Sequence, residues 1–88
     1  MVCVHGCDDP EEATRRANAL PWAFQAAVFI RDYATAMHAY ARLDASAVML
    51  NDHTAFRVEW MPFAGLRQSG LGVGGIPCTF RDMQIEKL

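Results

Sequence analysis

Between residues 51 and 72 the sequence Asn-Asp-His-Thr-Ala-Phe-Arg-Val-Glu-Trp-Met-Pro-Phe-Ala-Gly-Leu-Arg-Gln-Ser-Gly-Leu-Gly gathers most of the side chains able to do chemistry. Arg57 follows Phe56 directly and precedes Trp60 and Phe63. A guanidinium is permanently charged and presents a planar fork of donors. In an aromatic setting it can hold a carboxylate, phosphate, phosphonate or sulfonate through paired hydrogen bonds. The plainer reading, a surface arginine whose stem lies on aromatic rings, weighs equally for Arg57. Asp52 and His53 are adjacent, and histidine titrates near neutrality, which invites an acid–base role. No nucleophile lies near them in sequence, so a hydrogen-bonded structural histidine at a strand end is preferred.

Three further patterns fall short of the chemistry they suggest. Gly70-x-Gly72-x-x-Gly75 satisfies a dinucleotide fingerprint as a string, but that fingerprint needs a strand before it and an acidic residue about twenty positions later. Arg67-Gln68-Ser69 does not read as a strand and the sequence ends too soon, so a glycine loop that allows close backbone packing is preferred. Gly65 to Gly70 has phosphate-loop spacing, yet Leu71 stands where a lysine is required. Cys3-Val4-His5-Gly6-Cys7 puts three residues of metal-ligand type on alternate positions, but a zinc site needs a second pair and only Cys78 remains. Packing thiols account for these cysteines more simply.

The elements that must position these residues read as alternating strands and helices. Val2 to Val4 is a short strand. Asp9-Pro10-Glu11-Glu12 starts a helix, with Asp9 as cap, proline in the first turn and Glu12 at capping-box spacing; it is expected to run to about Leu20, before Pro21. Gln25 to Ile30 is a continuous apolar run of strand length. Asp32 caps a second helix whose stripe of Tyr33, Ala36, Met37 and Tyr40 reads as core, with His38 off the stripe toward solvent. Ser46 to Leu50 is another apolar strand. A strand–helix–strand unit with short connections makes a right-handed crossover, so these two strands are expected to be parallel. Site residues of such sheets collect at the C-terminal strand ends, where Asn51 begins a long loop to Phe63. Ile76-Pro77 starts a third helix through about Asp82, and Met83 to Leu88 reads as a last strand. Two apolar strands and three short helices cannot cover both faces of a sheet, so a fragment is expected.

Composition narrows the class. The 88 residues are 52% hydrophobic and 20% charged, which describes a globular chain. A net charge of −2 argues against nucleic acid or an anionic membrane as partner. No apolar run approaches the roughly 18 residues needed to span a bilayer, and no secretory signal is visible. Three cysteines at irregular spacing fit free thiols in a reducing compartment, and the cytoplasm is the expected location.

The loop and the helix–strand segment before it together resemble the C-terminal region of the NAD(P)-dependent aldehyde dehydrogenases. Pro62-Phe63-Ala64-Gly65-Leu66-Arg67-Gln68-Ser69-Gly70 is similar to that family's Pro-Phe-Gly-Gly-x-(Lys/Arg)-x-Ser-Gly segment, with Ala64 replacing its first glycine. Ala17 to Asp32 is similar to the family's pattern Ala-Asn-x-x-x-Tyr-Gly-Leu-x-Ala-x-Val-Phe-Thr-x-Asp, and the likeness covers nearly the whole chain in register. The resemblance implies an α/β fragment of a catalytic domain with parallel strands, crossover helices and a long site-lining loop over residues 1–88.

It also implies a function. The complete enzyme would oxidise an aldehyde to its acid with NAD or NADP, through a thiohemiacetal, hydride transfer and thioester hydrolysis. The family's nucleophilic cysteine, its general-base glutamate and its nucleotide-binding domain lie upstream of the matching region. Hence no catalytic residue, no metal ligand and no bound cofactor are expected of this chain by itself. It would contribute Phe56 and Phe63 to the substrate tunnel wall, Asn51 and His53 to strand-end positioning, and Arg57 to an anionic tail on a short aldehyde. Arg67 matches the basic position of the Pro62–Gly70 segment, which in that family roofs the substrate tunnel, and a structural role is preferred for it. Its partners would be the remainder of the dehydrogenase, a homo-oligomer and a small aldehyde. Met1 stands where the family's pattern has an interior strand residue, which favours a truncated reading frame. The rival readings are a non-catalytic interaction module using the aromatic loop 52–63, and a small Cys/His metal-binding domain.

Overall fold

The first helix begins by the chemistry expected of Asp9 and Pro10. In the computed structural model, which describes residues 1–87, α1 spans Pro10–Asn18 and the Asp9 carboxylate accepts from the Glu11 amide at 3.2 Å. Glu12 faces Arg16, 3.8 Å away on the next turn. The helix stops at Asn18, short of Leu20, because the backbone carbonyls of Asn18 and Leu20 turn toward the guanidinium of Arg67.

The remaining elements are β1 (Trp22–Ala23), β2 (Gln25–Val28), α2 (Tyr33–Arg42), β3 (Ala47–Leu50), β4 (Leu66–Arg67) and α3 (Ile76–Asp82). β2 and β3 are parallel, as the crossover demands, in a register that runs from Gln25 opposite Ala47 to Val28 opposite Leu50. Backbone bonds extend the pair at both ends, from Ser46 to the Phe24 carbonyl at 2.7 Å and from Asn51 to the Val28 carbonyl at 2.8 Å. The strand ends at Val28 and not at Ile30 because the Ile30 amide leaves the ladder for the Asn51 side-chain oxygen, 2.8 Å away. Asp32 caps α2 through the Thr35 amide and hydroxyl.

β1 and β4 form a second, antiparallel pair, Trp22 opposite Arg67 and Ala23 opposite Leu66. Strands this short carry no period and were not expected. Conversely, residues 1–7 hold no strand, and every one of them is exposed. An isolated strand leaves its backbone groups unpaired, and no described strand lies beside Val2–Val4 to accept them. For the same reason residues 84–87 stay irregular where a final strand was expected; the last position of that segment, Leu88, lies outside the described residues.

The core is small. Ala23 and Ala36 are the only buried hydrophobic residues among those described. The stripe on α2 expected to be core is therefore corrected: Ala36 is buried, while Tyr33, Met37 and Tyr40 are exposed. The chain presents 7364 Å² to solvent, whereas a compact monomer of its mass would present about 5,200 Å². Its radius of gyration of 15.9 Å exceeds the roughly 12 Å of a compact chain of this length. Apolar faces of both helix and sheet lack a covering layer within the described residues, which is the shortfall that marks a fragment.

Candidate functional site

The loop begins where β3 ends. Asn51 adopts a left-handed backbone (φ 56°), a conformation asparagine tolerates, and this turns the chain away from the sheet. Its side-chain oxygen holds the Ile30 amide, so the residue that opens the loop also fixes the end of the neighbouring strand. His53 is largely exposed and locally held: its amide donates to the Asp52 carboxylate at 2.8 Å, and its Nδ1 accepts from the Ala55 amide at 3.2 Å. Through these two bonds the residue closes a local turn at the root of the loop.

Farther along, Phe63 meets Phe24 edge-on, with ring centres 4.9 Å apart and planes at 80°. The Arg57 guanidinium lies over the Phe63 ring, 4.3 Å from its centre, and its Nη2 reaches the Met61 carbonyl at 3.5 Å. A cation over an aromatic face is held by the ring's quadrupole without losing its donors. Among the described residues Arg57 has no carboxylate partner. Phe56 is 46% exposed and Trp60 73%, so both could line a surface but neither packs into this chain's own core.

Four of the five candidates thus form two groups, not one, and Phe56 joins the first only through its amide, which donates to the His53 carbonyl at 3.3 Å. Asn51 and His53 sit at the C-terminal end of β3. Arg57 and Phe63 gather on Phe24, the residue that precedes β2, so the loop has travelled back along the sheet by the time it reaches Phe63. The expectation that all would collect at the C-terminal strand ends holds for the first group only.

Phe63 is tied down on its other side by a two-way backbone bridge with Gly74, at 3.0 and 2.7 Å. Gly75 follows with φ 110°, and a Cβ there would stand 2.9 Å from the Met61 carbonyl oxygen, so only glycine fits. Gly65 is equally constrained: a Cβ would stand 2.6 Å from the backbone of Ser69. Of the two positions that correspond to the family's glycine pair, Ala64 already carries a Cβ, and the second is the one that cannot.

Residues 65–70 make a tight turn anchored by side chains. Ser69 accepts the Ala23 amide on its hydroxyl at 2.9 Å, and the Gln68 amide reaches the Pro21 carbonyl at 3.0 Å. Arg67 donates Nη1 to the carbonyls of Asn18 and Leu20, each at 2.6 Å, and Nη2 to the Asp44 carboxylate. Asn18 in turn bonds the Arg42 carbonyl at 2.7 Å and the Asp44 amide at 2.9 Å. This bears out the structural role preferred for Arg67. Phe24, Asn18, Asp44 and Ser69 were missed as partners of the loop; only an asparagine at a helix C-terminus hinted at one of them.

The glycine string lacks the context of a dinucleotide fingerprint. The string Gly70-x-Gly72-x-x-Gly75 follows the two-residue antiparallel β4 and not the first strand of a β–α–β unit, and the Gly74 amide is already spent on Phe63. Cys3 and Cys7 are exposed and Cys78 half-buried, and no three metal-ligating groups converge among the described residues. No helix of those residues is long and apolar enough to cross a membrane.

Residues 1–87 match the model of the aldehyde dehydrogenase family. The chain is 40% identical over 75 residues to a lactaldehyde dehydrogenase of Methanococcus maripaludis, covering 85% of this chain and 16% of that one. It is 36% identical over 87 residues to a sulfoacetaldehyde dehydrogenase of Neptuniibacter caesariensis, covering 99% and 19% respectively. Its fold superposes on the crystal structure of glyceraldehyde-3-phosphate dehydrogenase from Methanocaldococcus jannaschii complexed with NADP, with a TM-score of 0.78 and 31% identity over 85% of this chain and 16% of that chain. The chain spans less than a fifth of the length of each of these proteins.

Proposed function

The chain belongs to the aldehyde dehydrogenase family, and from that premise we propose that it is the C-terminal portion of the catalytic domain of an enzyme that oxidises a short aldehyde with an anionic tail to its carboxylic acid. NAD or NADP, when bound by the complete enzyme, would accept the hydride; no part of its binding is assigned to this chain. The task left to these residues is to receive and orient the aldehyde. Phe56 and Phe63 supply apolar wall, and Arg57 holds the anion. Asn51 and His53 fix the geometry of the loop at its root.

The observation that carries the reading is the contrast between two arginines. Arg67 is engaged by two carbonyls and a carboxylate, whereas Arg57 lies on an aromatic face with one long contact to a carbonyl. Its fork is left available to a ligand. The sulfonate of sulfoacetaldehyde and the phosphate of glyceraldehyde-3-phosphate, after which two of the proteins above are named, are the kind of group such a fork accepts, and the neutral lactaldehyde of the third is the alternative it must be tested against. An interaction module using the same loop is not favoured, since the whole described chain matches an enzyme family. Location in the cytoplasm and assembly as a homo-oligomer complete the proposal, supported by the family and by free thiols.

The test is Arg57→Ala in the complete enzyme. A charge-assisted bond to an anion contributes about 1.5–3 kcal/mol, so kcat/KM for a sulfonate, phosphate or carboxylate aldehyde should fall by roughly ten- to a hundredfold. A neutral aldehyde of similar size should be nearly unaffected. Equal losses on both would mean that Arg57 only shapes the loop.

A further inference from the structure

Arg67 occupies a conformation that a side chain does not adopt freely. Its φ of 54° lies in the left-handed region, where residues with a Cβ are uncommon and persist only when their surroundings over-determine them. The surroundings here are three acceptors on two pieces of chain: the Asn18 and Leu20 carbonyls at the end of α1 and in the turn after it, and Asp44 in the α2–β3 connection. Lysine, with a single ammonium, could not span all three with the same fixed fork.

What this clamp holds is the turn that carries Phe63. Gly65 lies against Ser69, Ser69 is fastened to Ala23, and Phe24, the next residue, is the ring on which Phe63 and through it Arg57 rest. We infer that Arg67 is a positioning residue for aldehyde binding: by clasping α1 and the α2–β3 connection it sets where Phe63 presents its face and therefore where the Arg57 guanidinium stands. The inference rests on the proposed role of Arg57 and Phe63 at the aldehyde, and it adds a residue that touches no substrate.

The experiment uses the complete enzyme with Arg67→Lys, Arg67→Gly and Asp44→Asn. Arg67→Gly relieves the backbone conformation while removing the clamp; Asp44→Asn keeps the arginine and weakens one arm. For an anionic aldehyde, KM should rise roughly fivefold or more in both Arg67 variants while kcat stays within about twofold, because positioning is lost and the chemistry is not. Arg57→Ala should then cost several-fold less in the Arg67→Gly background than in the parent, since residues acting as one unit are not additive. A purely structural arginine would lower stability without this coupling, and fully additive effects would overturn the inference. If the parent proved inactive on every aldehyde, the proposed function would fall, and amide exchange would still read the clamp. Ala23, Phe63 and Gly74 should exchange roughly tenfold faster in Arg67→Gly while Asn51 is unchanged. Equal rates at all four would show that Arg67 holds nothing in place.

Discussion

The two small sheets of this molecule are fastened by opposite means. β2 and β3 exchange backbone bonds over four residue pairs, and the ladder continues at both ends through Ser46 and Asn51. β1 and β4 pair over two residues, and what secures them is the hydroxyl of Ser69 and the fork of Arg67. A backbone ladder tolerates exchange of side chains as long as they stay apolar. A join made of side chains does not. The segment that carries Phe63 adds such side-chain joins to isolated backbone bonds with Gly74 and Pro21, so its geometry depends on a few named residues.

The sharpest test of that difference is Gly65→Ala. The new methyl would meet the Ser69 backbone at 2.6 Å, which cannot give as a flexible side chain would, and the cost should be about 1–3 kcal/mol of stability in thermal unfolding. Gly70→Ala, whose nearest neighbour atoms stand at 3.7 Å, should be tolerated. Equal behaviour of the two would mean that the turn is looser than its geometry states. A smaller effect is expected at the foot of the ladder. Asn51→Ala loses the bond to Ile30 and puts at φ 56° a residue without asparagine's tolerance of the left-handed region, together about 1–2 kcal/mol. Asn51→Gly keeps the backbone at ease and should lose only the bond, about 1 kcal/mol; a glycine variant as unstable as alanine would shift the weight from backbone conformation to the side-chain contact.

The smallest effect belongs to α2. The hydroxyl and amide of Thr35 hold the Asp32 carboxyl below its ordinary value of 3.8. A depressed folded-state value means that the charged cap stabilises fully above that ordinary value, and that the contribution disappears as pH falls through the lower one. Acidification should therefore lower the protection of the Thr35 amide, its exchange taken relative to the intrinsic rate at each pH, and Asp32→Asn should flatten that response. An unchanged pH profile in the variant would remove Asp32 as the cause.

The difference between the sheets also explains what could be read from the residues alone. Gln25–Val28 and Ala47–Leu50 are apolar runs on either side of a capped helix, and such a unit has one handedness, so the parallel pair was legible. Asp9 and Asp32 announced their helices by cap chemistry. Trp22–Ala23 and Leu66–Arg67 have no period, and their pairing rests on a serine hydroxyl and carbonyls far away in sequence, so β1 and β4 were not legible. The stripe Tyr33, Met37, Tyr40 has the pattern of a core face, and its exposure could be foreseen only from the shortage of covering elements. At the site, the loop and the Arg57–Phe63 neighbourhood were readable from residue types. That Phe63 would return to Phe24 at the far end of β2 was not, because the path of an irregular loop is set by tertiary contacts.

The pairing of β1 with β4 has a consequence for the order in which the chain assembles. Joining Trp22 to Arg67 closes a loop about twice as long as joining Gln25 to Ala47, and each doubling adds about 0.6 kcal/mol of closure entropy. The longer closure is rewarded by few backbone bonds, while the shorter is rewarded by a full ladder. The β2–α2–β3 unit is thus placed to form first and serve as the template on which the turn at residues 65–70 docks late. Contacts made late in folding govern how fast a structure comes apart rather than how fast it forms. The lifetime of the docked Phe63 ring is therefore set first by the turn's own anchors.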